Sequence, residues 1–185
     1  MGYTTKQLTK TSKFLSFILR HKPDSIGLML DNSGWASISE LIDKADKELT
    51  LTQALIEQTV ISNDKQRFQI SDDGLRIRAS QGHSVKVDLQ LIPQEPPAIL
   101  FHGTASRFLE SIQREGLKAG QRHHVHLSTN VDTATAVGKR YGEPAILEVD
   151  ASAMHQQGHE FFLSNNGVWL TESVPVRFIC SQDQS

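Results

Sequence analysis

The 185-residue chain sets 19 Lys and Arg against 21 Asp and Glu, a formal net charge of −2, with 38% hydrophobic and 22% charged residues. That balance describes a soluble globular protein with room for one domain or two small ones, and its bulk charge gives no support to nucleic-acid binding. No apolar run approaches a membrane span and MGYTTKQLTK lacks a signal-peptide core, while the single cysteine, Cys180, excludes an internal disulfide, so a cytoplasmic protein without a membrane partner is expected.

Leu8, Leu15, Ile18 and Leu19 recur at helical spacing, while Lys6, Lys10, Lys13 and Arg20 fall off that stripe. Pro23 cannot continue the helix and pushes Lys22 out of helical geometry. Arg20 and His21 therefore fall at a helix C-terminus, where the macrodipole favours cations. Lys6, Lys10, Lys13, Arg20 and Lys22 all precede the first acid, Asp24, so this helix could meet a few phosphates.

Leu28–Trp35 reads as a short extended piece and a turn. Ser37 with Glu40, and Thr50 with Gln53, have capping-box spacing and are expected to open two further helices. Arg67–Ile70 and Leu75–Ala79 alternate about a turn at Ser71–Gly74, a β-hairpin. Three helices and a hairpin follow the order of a winged helix. Alternation resumes at Val85, Val87, Leu89 and Leu91, and the prolines of Pro93–Pro97 make a stiff connector at which a domain boundary is placed.

Ala98–Phe101 reads as a buried strand ending in a turn at His102-Gly103-Thr104. A helix is expected from about Ser106, with Phe108, Leu109 and Ile112 inward and Gly116 at its end. In Arg122–Ser128, Val125 and Leu127 share one strand face; His124, His126 and Ser128 share the other. Thr129–Asp132 can cap a helix running to about Tyr141-Gly142. Strands at Ala145–Val149, Phe161–Ser164, Val168–Thr171 and Val176–Ile179, with a turn at Asn165–Gly167, complete an α+β pattern.

His124 and His126, joined by His102 or His123, could ligate a metal, but no His-Glu-x-x-His helix, cysteine partner or obvious carboxylate accompanies them, so no metal is expected. Glycine-rich dinucleotide and Walker loops are absent, as is the Gly-x-Ser-x-Gly of hydrolases. What remains is a surplus of Arg and His near turns and strand ends. Guanidinium forks suit phosphate oxygens and keep their charge, although any one arginine taken alone reads as a solvated surface charge.

Taken together, Leu15–Pro23 (LSFILRHKP), Gly34-Trp35-Ala36, Arg67-Phe68, Ile77–Ser84 (IRASQGHS), Phe101–Thr104 (FHGT), Arg122–Ser128 (RHHVHLS) and Gly167–Thr171 (GVWLT) resemble the NAD-dependent RNA (tRNA) 2′-phosphotransferases, in family order across nearly the whole chain. The resemblance implies a winged-helix RNA-binding lobe (residues 1–92), a Pro-rich linker (93–97), an NAD-binding lobe of the ADP-ribosyltransferase type (98–185) and an active site in the cleft between them. It implies that NAD is consumed. An internal RNA 2′-phosphate attacks the nicotinamide ribose, leaving ADP-ribosylated RNA; the ribose 2″-hydroxyl then attacks phosphorus, releasing 2′-OH RNA and ADP-ribose 1″,2″-cyclic phosphate.

By the same resemblance Arg20, His21, Arg67 and Arg122 match the catalytic set. Arg20 and Arg67, with Lys13 nearby, would hold the RNA phosphate, and Arg122 the phosphates of the second step; His21 would orient phosphate or shuttle a proton. On the cofactor side stand His102, Gly103, Thr104, His126, Ser128 and Val168. His102, His126 and Val168 occupy the positions that ADP-ribosyltransferases commonly fill as His-Tyr-Glu, and the missing glutamate fits a phosphate nucleophile that needs no general base. Gln81–Ser84 matches the family without a chemical role. The substrate expected is tRNA-like RNA with an internal 2′-phosphate, with no obligate protein partner. The alternatives are an ADP-ribosyltransferase capping terminal phosphates and a non-catalytic winged-helix NAD sensor.

Overall fold

The computed structural model describes residues 2–45 and 49–181, which divide into two units, Met1–Gln90 and Leu91–Ser185. In the first, helix α1 (Thr5–Arg20) opens on a reciprocal cap: the Gln7 N–H donates to Thr4 Oγ1, and the Thr4 N–H donates to Gln7 Oε1 at 2.9 Å. Leu15, Ile18 and Leu19 are at most 1% exposed and carry the helix into the core. At its end the N–H groups of His21 and Lys22 both donate to the Phe17 carbonyl, and the chain turns through a 3-10 segment, Pro23–Ile26.

Strand β1 (Ala36–Ser37) leads into α2 (Ile38–Lys44), where the Ser37 hydroxyl accepts from the Glu40 N–H. The Glu40 carboxylate turns to Lys44 Nζ at 2.5 Å, and Lys44 also reaches the Gly27 carbonyl. Helix α3 (Gln53–Ile61) is capped by Thr52 and not by Thr50: Thr52 Oγ1 accepts from the Leu55 N–H at 3.2 Å. Starting there leaves Leu51 in the residue before the cap, buried in the same cluster as Ile56, the arrangement of a hydrophobic staple. Strands β2 (Phe68–Ile70) and β3 (Arg76–Ala79) form the antiparallel hairpin, and β1 pairs with the far side of β3, so the sheet order is β1-β3-β2.

The alternating segment from Val85 keeps half-buried and exposed side chains in turn but forms no strand. Its backbone is spent elsewhere: the Val85 N–H donates to the Arg20 carbonyl at 3.3 Å, the Asp88 N–H to the Asn32 carbonyl at 2.7 Å, and Gln90 takes a left-handed φ of 55°.

In the second unit, β4 (Ile99–Ala105) pairs antiparallel with β7 (Pro144–Asp150) along its whole length, and β11 (Ile179–Ser181) closes the other edge of β7. A second sheet has the order β6 (Val125–Leu127), β9 (Trp169–Thr171), β8 (Phe162–Leu163), and it meets the first through a bridge between Phe101 and Ser128. A small pair, β5 (Leu117–Lys118) with β10 (Ser173–Val174), stands apart. Helix α4 (Leu109–Glu115) follows a 3-10 turn at Ser106–Phe108 and ends at Gly116; Phe108 is 40% exposed and does not point inward, because the 3-10 turn precedes the helical face that Leu109 and Ile112 bury.

Helix α5 (Val131–Gly138) stops before Tyr141, since Gly138 comes so close to β4 that a Cβ there would lie 2.5 Å from the Thr104 carbonyl oxygen. A short α6 (Ala151–Gln156), capped by Asp150, was not signalled by any long periodicity. The strand expected at Val176–Ile179 is a 3-10 turn, Val176–Phe178, followed by β11: Phe178 alone of that turn is buried, so the apolar alternation there marks one core contact and not a ladder. The core gathers Leu100, Leu127, Leu147, Val149, Met154 and Phe161. Both units are mixed α and β with small antiparallel sheets, an α+β architecture. No described helix is long and apolar enough to cross a membrane.

Candidate active site

Three of the expected residues meet in the first unit. Arg20 and His21 end α1, and the returning chain caps them: the Ser84 N–H donates to the Arg20 carbonyl at 2.9 Å, and Ser84 Oγ lies 2.9 Å from His21 Nδ1. That hydroxyl also reaches the Arg20 carbonyl at 3.4 Å. When it donates there, it is left as the acceptor for an Nδ1–H, and His21 then presents Nε2 outward as its second nitrogen. The stretch Gln81–Ser84, without a chemical role in the sequence, thus positions the Arg-His pair. Its neighbour His83 is 3% exposed, and its Nε2 lies 3.6 Å from where a Cβ on Gly34 would stand, so the Gly34-Trp35 and Gln81–Ser84 motifs meet in space.

Arg20 Nη2 donates to the Arg67 carbonyl at 3.4 Å, and its guanidinium carbon lies 5.9 Å from the Phe68 ring centroid. Arg67 enters β2 from a left-handed Gln66, φ 41°, and Arg67 Nη1 donates to Asn63 Oδ1 at 3.2 Å. Asn63 in turn donates to Ser12 on α1 at 3.1 Å, and the Ser80 N–H donates to the Arg67 carbonyl at 2.9 Å. Two half-buried guanidiniums are thereby set beside one imidazole, with side-chain amide and hydroxyl partners fixing their stems. Lys13 lies two turns earlier on α1, exposed and outside this group. Asn63 and Ser84 escape a reading of the sequence because their partners are set only when distant segments fold together.

In the second unit the edge between β4 and β6 carries the other group. Phe101 and Ser128 exchange N–H···O bonds of 2.8 and 2.9 Å, and there the ladder stops. One step on, the His126 carbonyl, which a continuing ladder would offer to Gly103, accepts instead from His102 Nδ1 at 3.0 Å. A carbonyl can only accept, so His102 carries its proton on Nδ1 and leaves Nε2 as an acceptor. His102-Gly103-Thr104 therefore lies inside β4, paired with Leu147, Ile146 and Ala145, and not at a turn after it. Since Phe101 points its N–H and C=O toward β6, strand alternation points those of Gly103 to the same side, beyond the last bridge. Gly103 itself is required: a Cβ would lie 1.7 Å from the Ala134 carbonyl oxygen of α5.

Arg122 Nη1 donates to His126 Nδ1 at 2.7 Å, and because a guanidinium has no acceptor this bond holds the His126 proton on Nε2. Ser128 sits at the bridge, and Val168 stands across from it, one step past the Leu127–Trp169 rung; the Val168 N–H and C=O are both bonded to Ser164. Thr104 is 7% exposed and its side chain is shielded from solvent. Burial pushes the His102 imidazole below its usual range, a shift opposed by the His126 carbonyl and aided by the Arg122 charge. His124, tilted against Phe162 at 5.5 Å, is also lowered by burial and by His123. No cluster of three His, Cys, Asp or Glu side chains suited to a metal occurs among the described residues.

Residues 6–173 match the model of the family described as RNA 2′-phosphotransferase, Tpt1/KptA family. The chain is 56% identical over 178 residues to a protein of Burkholderia lata named "Probable RNA 2′-phosphotransferase", covering 95% of this chain and 92% of that one. Proteins of the same name from Pseudomonas fluorescens and Acaryochloris marina are 57% and 53% identical, each covering 94% of this chain and 97% and 96% of their own. With both groups of side chains set out as above and the match extending through each of them, the chain belongs to the RNA 2′-phosphotransferase family, Tpt1/KptA.

Proposed function

We propose that the protein removes an internal 2′-phosphate from RNA by transferring it to NAD, giving 2′-OH RNA, nicotinamide and ADP-ribose 1″,2″-cyclic phosphate. The observation that carries this reading is the arrangement of Arg20, His21 and Arg67, in which Ser84 and Asn63 hold the side chains. Fixed guanidiniums stabilise a phosphate whose charge rearranges, without proton transfer of their own. Arg20 and Arg67 grip the 2′-phosphate; His21, through Nε2, orients it or carries the proton of an attacking hydroxyl. On this reading the three-helix and hairpin unit is a winged-helix RNA lobe, and the second unit is an ADP-ribosyltransferase-type lobe.

The edge at Gly103 fits a carboxamide: its N–H and C=O point to one side, where a side chain would intrude and glycine has none. The neutral His102 adds an acceptor next to it, and Arg122 a fixed cation on the His126 ring. NAD, when bound, supplies the electrophilic ribose carbon that sheds nicotinamide and the 2″-hydroxyl that completes the transfer. His102, Gly103, Thr104, His126, Ser128 and Val168 would hold it, and Arg122 would hold phosphate as the RNA is released. Family membership and the absence of a carboxylate at Val168 both support phosphate as the nucleophile.

The test is mass spectrometry of the purified protein with NAD and an oligoribonucleotide bearing one internal 2′-phosphate, without added metal. Loss of the phosphate with release of nicotinamide and the cyclic phosphate is expected. RNA left carrying ADP-ribose favours a capping transferase, and unchanged RNA and NAD overturn the reading in favour of a non-catalytic binding protein.

A further inference from the structure

The face of α1 opposite the core has no chemistry assigned to it. Lys6, Lys10, Lys13, Phe17 and Arg20 recur at steps of four, three, four and three, which at 3.6 residues per turn keeps them within about 40° of one line. The buried residues Thr11, Leu15, Ile18 and Leu19 lie on the other side. Lys6, Lys10 and Lys13 are exposed, and Phe17 keeps 51% of its surface in solvent. No acid occurs in Thr5–Arg20, and none occupies the first turn, where the helix dipole favours one. Lys6 and Lys10, four apart, and Lys10 and Lys13, three apart, are like-charge pairs that weaken a helix. Helix stability alone does not account for such a stripe; attraction for a polyanion does.

We infer that this face is a track for the single RNA strand flanking the 2′-phosphorylated nucleotide, with Phe17 stacking a base beside Arg20 and the lysines meeting successive phosphates toward the helix N-terminus. The inference rests on the function proposed above. Lys6 to Arg20 spans about 21 Å at 1.5 Å per residue, room for a few nucleotides. Phe17 stands between the lysines and Arg20, so a base stacked there adjoins the nucleotide whose phosphate Arg20 holds. Aromatic and cationic side chains in one groove or stripe are the usual composition of a single-strand platform.

The experiment compares wild type, Phe17→Ala and the double variant Lys6→Gln/Lys10→Gln on a 2′-phosphorylated dinucleotide and on a 12-mer with the phosphate near its middle. On the 12-mer, kcat/KM is expected to fall about tenfold for Phe17→Ala, as befits a lost base–aromatic stack, with kcat retained. The double variant should lower the salt dependence of 12-mer binding by about one in log–log slope, near 0.7 per phosphate contact on a single strand. Both variants should match wild type on the dinucleotide. Equal losses on the two substrates, no loss on the 12-mer, or an unchanged salt slope would overturn the track and leave the stripe to an acidic protein partner. If wild type turns over neither substrate, the proposed function fails. The track is then judged by fluorescence anisotropy of the unphosphorylated 12-mer, where a wild-type salt slope in the double variant overturns it.

Discussion

Ser84 Oγ lies 2.9 Å from Nδ1 of His21, 63 residues earlier in the chain, while the Ser84 N–H closes on the carbonyl of Arg20. One residue thus caps the helix and aims the imidazole. Ser84→Ala keeps the backbone bond and loses only the aim. Its turnover is expected to fall about tenfold with KM unchanged, since a neutral hydrogen bond is worth roughly 0.5–1.5 kcal/mol. Single-turnover rates check this; wild-type rates would show that His21 is held by other means.

Arg20→Ala, Arg67→Ala and Arg122→Ala should each lower turnover by roughly 100-fold or more, the usual loss of one preorganised transition-state donor. Arg67→Lys keeps the charge but cannot both donate to Asn63 and present a planar fork to phosphate. Loss of one charge-assisted bond, about 1.5–3 kcal/mol, should leave it at least about tenfold impaired. Full activity of Arg67→Lys would reduce that side chain to a point charge.

Gly103→Ala sets a methyl against the Ala134 carbonyl, and backbone cannot yield as a flexible side chain does. Overpacking of this kind costs about 1–3 kcal/mol or more, and about 4–8 °C in Tm per kcal/mol for a unit of this size. Thermal melting should therefore drop by roughly 10 °C or more. Gly167→Ala, with open space around it and φ 76°, should cost about 1 kcal/mol through backbone strain alone.

Burial holds the His102 imidazole below its usual value, so the unfolded chain binds that proton more readily than the folded one. This part of the stability is present above about pH 6.5, the unfolded value, and is lost as pH falls from there through the lowered folded value. Melting temperatures of wild type and His102→Asn across pH 5–8 check the sign: the wild type should lose more on acidification than the variant.

Thr52→Ala should cost about 1 kcal/mol, the usual worth of an N-cap, while Thr50→Ala should leave urea unfolding within experimental error. The reverse order would place the start of α3 two residues earlier.

The elements that could be read from the chain are those whose signal is local. A proline stop after Arg20-His21, the hairpin turn at Ser71–Gly74 and the alternation of Val125 and Leu127 are each set by dihedral limits and side-chain period within a few residues. The family motifs likewise identified Arg20, His21 and Arg67 before any contact was known. Where the reading went astray, competing partners decided. Thr50 and Thr52 both have cap chemistry, and only the burial of Leu51 selects the second. Val85–Leu91 has strand alternation, but the carbonyls of Arg20 and Asn32 take its N–H groups.

The sequence by itself determined the residue types, the helix that ends at Arg20-His21, the α+β order of elements and the family. Only the tertiary structure decided that Ser84 aims His21, that Asn63 holds Arg67, and that His102 takes the carbonyl a ladder would have given to Gly103. The reason is range. Dihedral preference and hydrophobic period act over a few residues, whereas a hydrogen bond between side chains 63 positions apart exists only after chain folding has brought both ends to one place.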